Sequence, residues 1–480
     1  MKTFRMNRRL FFARSSAILA GVGLSARPES QGALKDERPS HQATGTRVGE
    51  MTPRSAVVWT RLTARSDRND SGTKVEKNSE NLPEVDSLEG ACPGRAGRVR
   101  LLYGTREDLQ EAEATDWAQV DESTDFTHKF LLDDLKPGTR YHYLCEVVPA
   151  AGSPSPGVFR GRFQTAPNPE APTDERFCVM TCQGYPDRGH PDGHPIYPSM
   201  LALDPAFATL TGDLVYYDND APRAVTPRLA RYHWERMFSL PRLVEFNRKV
   251  GTYWLKDDHD TLRNDAWPGQ KLGELSFAEG RNIFGQQAPM LEGPAYRTFR
   301  RGRDLQIWLT DGRDYRSPNN RPDGEEKTIW GAEQKAWFRR TVSESDATWK
   351  ILISPTPIVG PDRKNKNDNH ANAGFRHEGD ELRDWLNANV PENFFVVCGD
   401  RHWQYHSVHP RTGLHEFSVG AASNEHAGGS PGENRDYHRF HRVKGGFLTV
   451  SVRPAGDRSE IRFEHRDVLG NVVYAWSPTS

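Results

Sequence analysis

Four short apolar segments of this chain each run straight into a knot of polar, metal-capable side chains, and that pattern dictates the kind of sheet the chain must build. Segment 176–184 (RFCVMTCQG) ends in Cys182-Gln183, and 208–218 (ATLTGDLVYYD) turns at Gly212-Asp213 and reaches Tyr216. Segment 251–260 (GTYWLKDDHD) closes on Asp257-Asp258-His259-Asp260, and 394–402 (FFVVCGDRH) on Gly399-Asp400-Arg401-His402. Short apolar runs rich in β-branched and aromatic residues read as buried strands. Ligands of α/β sheets bind outside the carboxyl ends of the strands, so four such ends predict one shared cleft. Adjacent ionisable groups after an apolar strand are costly to bury unless a metal or partner neutralises them. Carboxylates suit hard cations, whereas His, Tyr and thiolate suit a transition metal.

The chain before these segments reads differently. Strand patterns at 55–62, 99–103, 127–132, 141–148 and 161–165 predict an all-β unit over 45–168, with a polar, unperiodic surface insertion at 64–97. The turn 135–141 (LKPGTRY) resembles that of fibronectin type III sandwiches, where a tyrosine ties back to the preceding corner. A fold of this kind carries no function by itself, and a spacer or lid is its simplest role. Beyond 167–172, further strands at 305–309, 350–354 and 448–452 alternate with helices predicted at 226–238, 332–342 and 379–387. The expectation is one catalytic domain over 170–480, with no readable period in 184–206, 265–300 and 360–378.

Residues 1–26 form a separate unit: Lys2, Arg5, Arg8 and Arg9, then Phe11, Phe12 and an apolar stretch closing on Ser25 and Ala26. Arg8-Arg9-Leu10-Phe11-Phe12 resembles the twin-arginine export signal, so the export machinery is an expected partner and the periplasm or exterior the expected location. Residues 27–44, polar and rich in Pro, Ser and Gly, read as a linker. Lys and Arg number 64 against 65 Asp and Glu, with no basic stripe, which argues against a nucleic-acid duplex as partner. No apolar run reaches the ~18–20 residues of a membrane span, so no stable membrane anchor is expected. Five cysteines leave at least one unpaired. Cys178 and Cys182 lie four residues apart on one strand, ~13 Å in extended geometry, too far for a disulfide.

In their order and spacing the four motifs resemble those of the calcineurin-like metallophosphatases, specifically the alkaline phosphatase D family, over about 45–480. The resemblance implies an α/β (α+β) fold: a metallophosphatase β-sandwich core flanked by helices, preceded by a fibronectin type III-like sandwich. It implies that Asp213 bridges metals, that Cys182, Tyr216 and His402 complete an iron(III) site, and that Asp400 binds a neighbouring cation, calcium; other divalent metals are alternatives. The family's Trp-Asp-Asp-His-Asp…Asn-Asp stretch is matched by Asp257, Asp258, His259, Asp260, Asn264 and Asp265, with Lys256 in place of the Trp. By this resemblance Asp258 and Asn264 are ligands and His259 the general acid. Segment 309–316 (LTDGRDYR) matches a further family element and offers Arg313 to a phosphate. The implied reaction is hydrolysis of a small-molecule or polymer phosphate ester by a metal-activated hydroxide.

Two other readings stand beside it. One is a phospholipase-like or envelope-polymer phosphodiesterase; the other is a surface-binding protein with a structural metal site. The loop 358–375, which carries Asp368, Asn369 and His370, is either a solvated Asn-rich turn or a lid that brings His370 or Asp368 to the substrate phosphate or to an outer calcium.

Overall fold

Successive residues of a strand face opposite ways, and here both faces of the central strands are apolar. In the computed structural model, which describes residues 40–79, 81–149, 155–390 and 392–478, both faces are buried. Phe177 and Val179 point between two sheets, whereas Cys178 and Met180 point out beneath a layer of helices. The same division separates Phe207 from Ala208 and Leu210, and Tyr253 and Leu255 from Trp254. In the second sheet Ile307, Ile351 and Val397 face inward, while Trp308, Leu352 and Val396 face a second helical layer. The result is two sheets face to face with helices on both outer surfaces.

The first sheet has nine strands, with Glu175–Met180, Phe207–Thr211 and Thr252–Leu255 parallel at its centre. Helices Ile196–Leu201, Pro227–Phe238, Pro241–Asn247 and Phe277–Gln287 cover it. The second has seven strands; Leu305–Leu309, Trp349–Ser354, Phe394–Cys398 and His415–Val419 run parallel. Helices Gly331–Ser343 and Arg376–Asn389 cover that one. The Pro227–Phe238 helix begins at Thr226, whose hydroxyl accepts the Leu229 N–H at 3.3 Å. Phe277–Gln287 lies in a stretch without readable period, yet its start carries a capping box between Ser276 and Glu279.

The predicted tyrosine tie is present: the Lys136 N–H donates to the Tyr141 hydroxyl at 2.9 Å. The all-β segment does not keep to itself, however. Its strands Thr46–Gly49, Ala56–Arg61 and Thr127–Leu132 continue the nine-stranded sheet, with Gly49 opposite Thr252 in a parallel pair. The Thr252 hydroxyl donates to the Val48 carbonyl at 3.1 Å, and the Trp59 indole N–H to the Gln286 carbonyl at 2.7 Å.

Two expectations need correction. Residues 41–44 are packed rather than free: His41 and Thr63 form a β-bridge and the Ala43 N–H donates to the Thr63 hydroxyl at 3.0 Å. The 64–97 insertion is not confined to the surface, because Leu88 and Ala91 join the helical core and Arg68 ties Glu89 at 2.8 Å. Its low periodicity hid these anchors. All five cysteines are free and buried, Cys178 and Cys182 included. The proposed leader 1–26 lies outside the described residues.

One buried pair ties the two sheets together. Arg301 donates to both carboxylate oxygens of Glu175, at 2.9 and 2.6 Å, and to the Tyr253 hydroxyl at 3.1 Å. Removing one partner strands the other charge in the interior, so Glu175→Ala should destabilise the protein by about 3–5 kcal/mol. Denaturant unfolding measures this, and a loss under 1 kcal/mol would show that the pair does not couple the sheets.

Candidate metal centre

Three of the four metal-capable strand ends turn into the cleft through a strained residue. Cys182, Asp213 and Asp400 all adopt left-handed backbone, with φ of 52°, 55° and 60°, a conformation that non-glycine residues seldom take. Glycine makes the convergence possible. A Cβ on Gly399 would stand 2.7 Å from the hydroxyls of both Thr181 and Thr211, and one on Gly212 would stand 2.6 Å from the Asp257 Cβ. The ends of the two sheets therefore close to backbone contact, and their side chains meet.

Asp213 lies where they meet. It belongs to three groups of candidate ligand atoms, each within 4.8 Å of one another: Cys182–Asp213–His402, Asp213–Asp258–His259 and Asp213–Asp257–Asp400. Tyr216 adds its phenol, donating to Asp213 Oδ2 at 3.2 Å and standing 3.4 Å from His402 Nε2. Burial, and then the Asp213 charge, push the Cys182 thiol and the Tyr216 phenol well above their usual pKa values. Burial also raises Asp213, reinforced by Asp258, Asp257 and Asp260 although His259 opposes it. Burial lowers His402, with His426 and Arg401 adding to the effect, so its imidazole is neutral. Among the described residues, Asp213 Oδ1 and Asp257 Oδ2 are buried with no hydrogen-bond partner. Buried carboxylate oxygens without donors, next to a thiol, a phenol and a neutral imidazole, fit metal cations. This centre forms the floor of a cavity of about 650 Å³ lined also by Asp187, Asn264, Arg363, Lys366, His426 and Gly429.

The sequence profile described as PhoD-like phosphatase matches residues 177–446, and that of the PhoD-like phosphatase N-terminal domain matches 29–167. The chain belongs to the PhoD-like phosphatase family. It is accordingly a phosphoric ester hydrolase. No curated protein sequence matches it. The fold is similar to that of a solved PhoD, at TM-score 0.70 and 17% identity, over 93% of this chain and 90% of that one. It is also similar to purple acid phosphatase PPD1 from yellow lupin (Lupinus luteus) seeds, at TM-score 0.60 and 12% identity, over 90% and 73%.

Within this phosphatase the structure gathers Cys182, Asp213, Tyr216, Asp258, His259, Asp400 and His402, with Asn264 on the cavity wall. It adds Asp257 to the cluster. The Asp258 oxygens accept the N–H groups of His259 and Asp265 at 2.9 and 2.5 Å. Asp260 instead staples the loops, accepting the N–H groups of Asp257 and Leu214 at 2.6 and 3.2 Å. His259 Nδ1 meets Asp218 at 2.6 Å. Burial would lower the His259 pKa, but Asp258, Asp213 and Asp218 outweigh it and push it up to about 10.

Two expected residues lie elsewhere. Arg313 is fully buried behind the carboxylates, its Nε donating to Asp257 at 2.5 Å and its fork 3.6 Å from Asp258. It grips carboxylates of the centre from behind and does not face the cavity. His370 is buried too, its Nε2 3.0 Å from Glu378 and its ring edge-on to Trp330. The loop 358–375 does reach the cavity, but through Arg363 and Lys366. Sequence reasoning also missed His426, whose Nε2 lies 2.9 Å from the Tyr216 hydroxyl and whose Nδ1 lies 2.9 Å from Asp187. It sits in the polar segment 421–429 (AASNEHAGG), which offers no period or motif.

His370→Ala should therefore lower stability by about 1.5–3 kcal/mol, the range for a lost hydrogen bond to a charged group, while turnover stays near wild type. Burial opposes ionisation of Glu378, but His370, the Ile329 N–H and the Thr328 hydroxyl hold its pKa to about 2. That lowered pKa stabilises the fold above pH ~4.3, a contribution lost as pH falls through about 2. The gap between variant and wild type in thermal melts should narrow over that window. A variant of wild-type stability and reduced turnover would return His370 to the catalytic machinery.

Proposed function

We propose that this chain is an exported alkaline phosphatase or phosphodiesterase that hydrolyses phosphate esters in the cavity above Asp213. The observation that carries the reading is Asp213 itself, shared by three ligand groups and left with an unpartnered buried oxygen. Cys182, Asp213, Tyr216 and His402 would hold iron(III), whose chemistry suits thiolate, phenolate and imidazole. Asp213, Asp258 and Asn264, with Asp257 and Asp400 beside them, would hold calcium through oxygen ligands. Such metals supply Lewis acidity at the phosphoryl group and a water of lowered pKa.

The protein's own residues do the rest. His259, oriented by Asp218 at Nδ1, gives a proton to the leaving oxygen through Nε2. Arg313 positions Asp257 and Asp258 rather than the substrate.

One experiment tests these roles together, combining metal analysis with rates on bis(p-nitrophenyl) phosphate and p-nitrophenyl phosphate. Wild type should contain iron and calcium and absorb visible light through thiolate or phenolate charge transfer. Cys182→Ala should lose iron and colour before fold; His259→Ala should keep its metals and lose ~10²–10⁴ in kcat. A colourless, iron-free and fully active wild type rejects the iron assignment. A fully metallated protein that turns over neither ester favours the surface-binding reading with a structural metal site.

Export is supported by Arg8-Arg9 followed by Phe11-Phe12, and by a domain match that begins at residue 29, just past Ala26. The double variant Arg8→Lys, Arg9→Lys should hold the precursor in the cytoplasm. Undiminished export of that variant, followed by fractionation, removes the twin-arginine route.

A further inference from the structure

With Arg313 buried behind the metal centre, an arginine that meets a phosphoryl oxyanion must come from the cavity wall. Two long basic side chains line it, Arg363 and Lys366. Lys366 is committed, its Nζ 2.8 Å from Asp265 and 3.4 Å from Asp368. Arg363 is not.

The reason lies in its neighbour. Asp362 would be the natural partner for Arg363, but its carboxylate is already filled. Arg401 donates to both its oxygens at 2.9 and 3.1 Å, Asn369 donates at 2.8 Å, and the Arg363 backbone N–H takes Oδ1 at 2.7 Å. The Arg363 guanidinium is left with a 3.7 Å ion contact to Asp362 and a place 5.8 Å over the Trp403 ring. Among the described residues its Nε has no hydrogen-bond partner, while the side chain is about one-third exposed. Across from it a Cβ on Gly429 would stand 3.4 Å from Nη1, so glycine keeps that side open. Glu416 fixes the base of the loop, accepting the N–H groups of Ile358, Val359 and Gly360 at 2.6, 2.9 and 2.8 Å. Arg363 thus stands on an anchored turn, at the wall of the metal cavity, with its fork unspent.

We propose that Arg363 is a substrate-binding residue that forks onto the terminal oxygens of the scissile phosphate, and that it binds the phosphate product in the same way. This rests on the reading that the ester is hydrolysed in this cavity. Guanidinium geometry matches two oxygens on one phosphorus, which a lysine ammonium cannot reproduce.

The test uses inorganic phosphate, which has no leaving group, as competitive inhibitor and as calorimetric ligand of the metal-loaded protein. Arg363→Ala should weaken phosphate binding about 10- to 100-fold, as expected for a lost charge-assisted hydrogen bond, with metal content and melting temperature unchanged. Arg363→Lys should recover part of the charge term but not wild-type affinity. Unchanged phosphate affinity in Arg363→Ala overturns the proposal. So does a loss confined to esters bearing an anion on the leaving group, which moves the fork there, or a loss accompanied by loss of metal. A wild type that binds phosphate through Arg363 yet hydrolyses neither nitrophenyl ester defeats the catalytic reading alone, and so separates the two failures.

Discussion

Mutual repulsion among the carboxylates gathered around Asp213 is the condition that the rest of the structure answers to. Asp257, Asp258 and Asp260 all act on Asp213, and each ion withdrawn from water costs several kcal/mol before any partner is supplied. Several compensating cations lie behind the cluster. Arg313 grips Asp257, and Lys256 lies against Asp311 and Asp314 in the turn that also receives the Arg313 N–H. Arg401 presses on Asp400 while tying Asp362 and Asp368 into the adjoining loop. Protein cations hold the back of the cluster, while among the described residues Asp213 Oδ1 and Asp257 Oδ2 keep no hydrogen-bond donor, which leaves them to metals.

Geometry reinforces this division. The three left-handed residues Cys182, Asp213 and Asp400 fall just past strands of two different sheets, and strain of this kind costs of order 1–3 kcal/mol each. The close-packed sandwich on one side and the buried ion pairs on the other hold those turns in place. Lys256, itself buried, is one of the counter-ions in those pairs.

Much of this was legible in the sequence, because the strand ends join two strong local signals, an apolar run and a polar knot. Phe207–Thr211 and Phe394–Cys398 are strands where the apolar starts of segments 208–218 and 394–402 place them. What the sequence withheld is which way a polar side chain points once its loop closes. Arg313 and His370 sit in charged, loop-like segments, yet Asp257 and Glu378, 56 and 8 residues away, draw them inward. Arg363 and Lys366 lie in the same segment as His370 and reach the cavity instead. The strands Gln404–Val408 and His438–Arg442 were invisible for another reason: their polar and histidine-rich residues lack the apolar alternation that marks a strand. Ser276 and Glu279 were a readable helix start inside a segment otherwise without period.

The parallel pairing of Gly49 with Thr252 has a consequence for how the molecule can be cut. Thr252–Leu255 has Phe207–Thr211 on one side, and its other side is closed by Thr46–Gly49, some two hundred residues earlier in the chain. Without that cover a central parallel strand becomes a bare edge, with open N–H and C=O groups ready to recruit another chain. The N-terminal β segment is thus a selvedge for the sheet that bears the catalytic loops, and a fragment starting at residue 170 would be prone to self-association however complete its metal ligands.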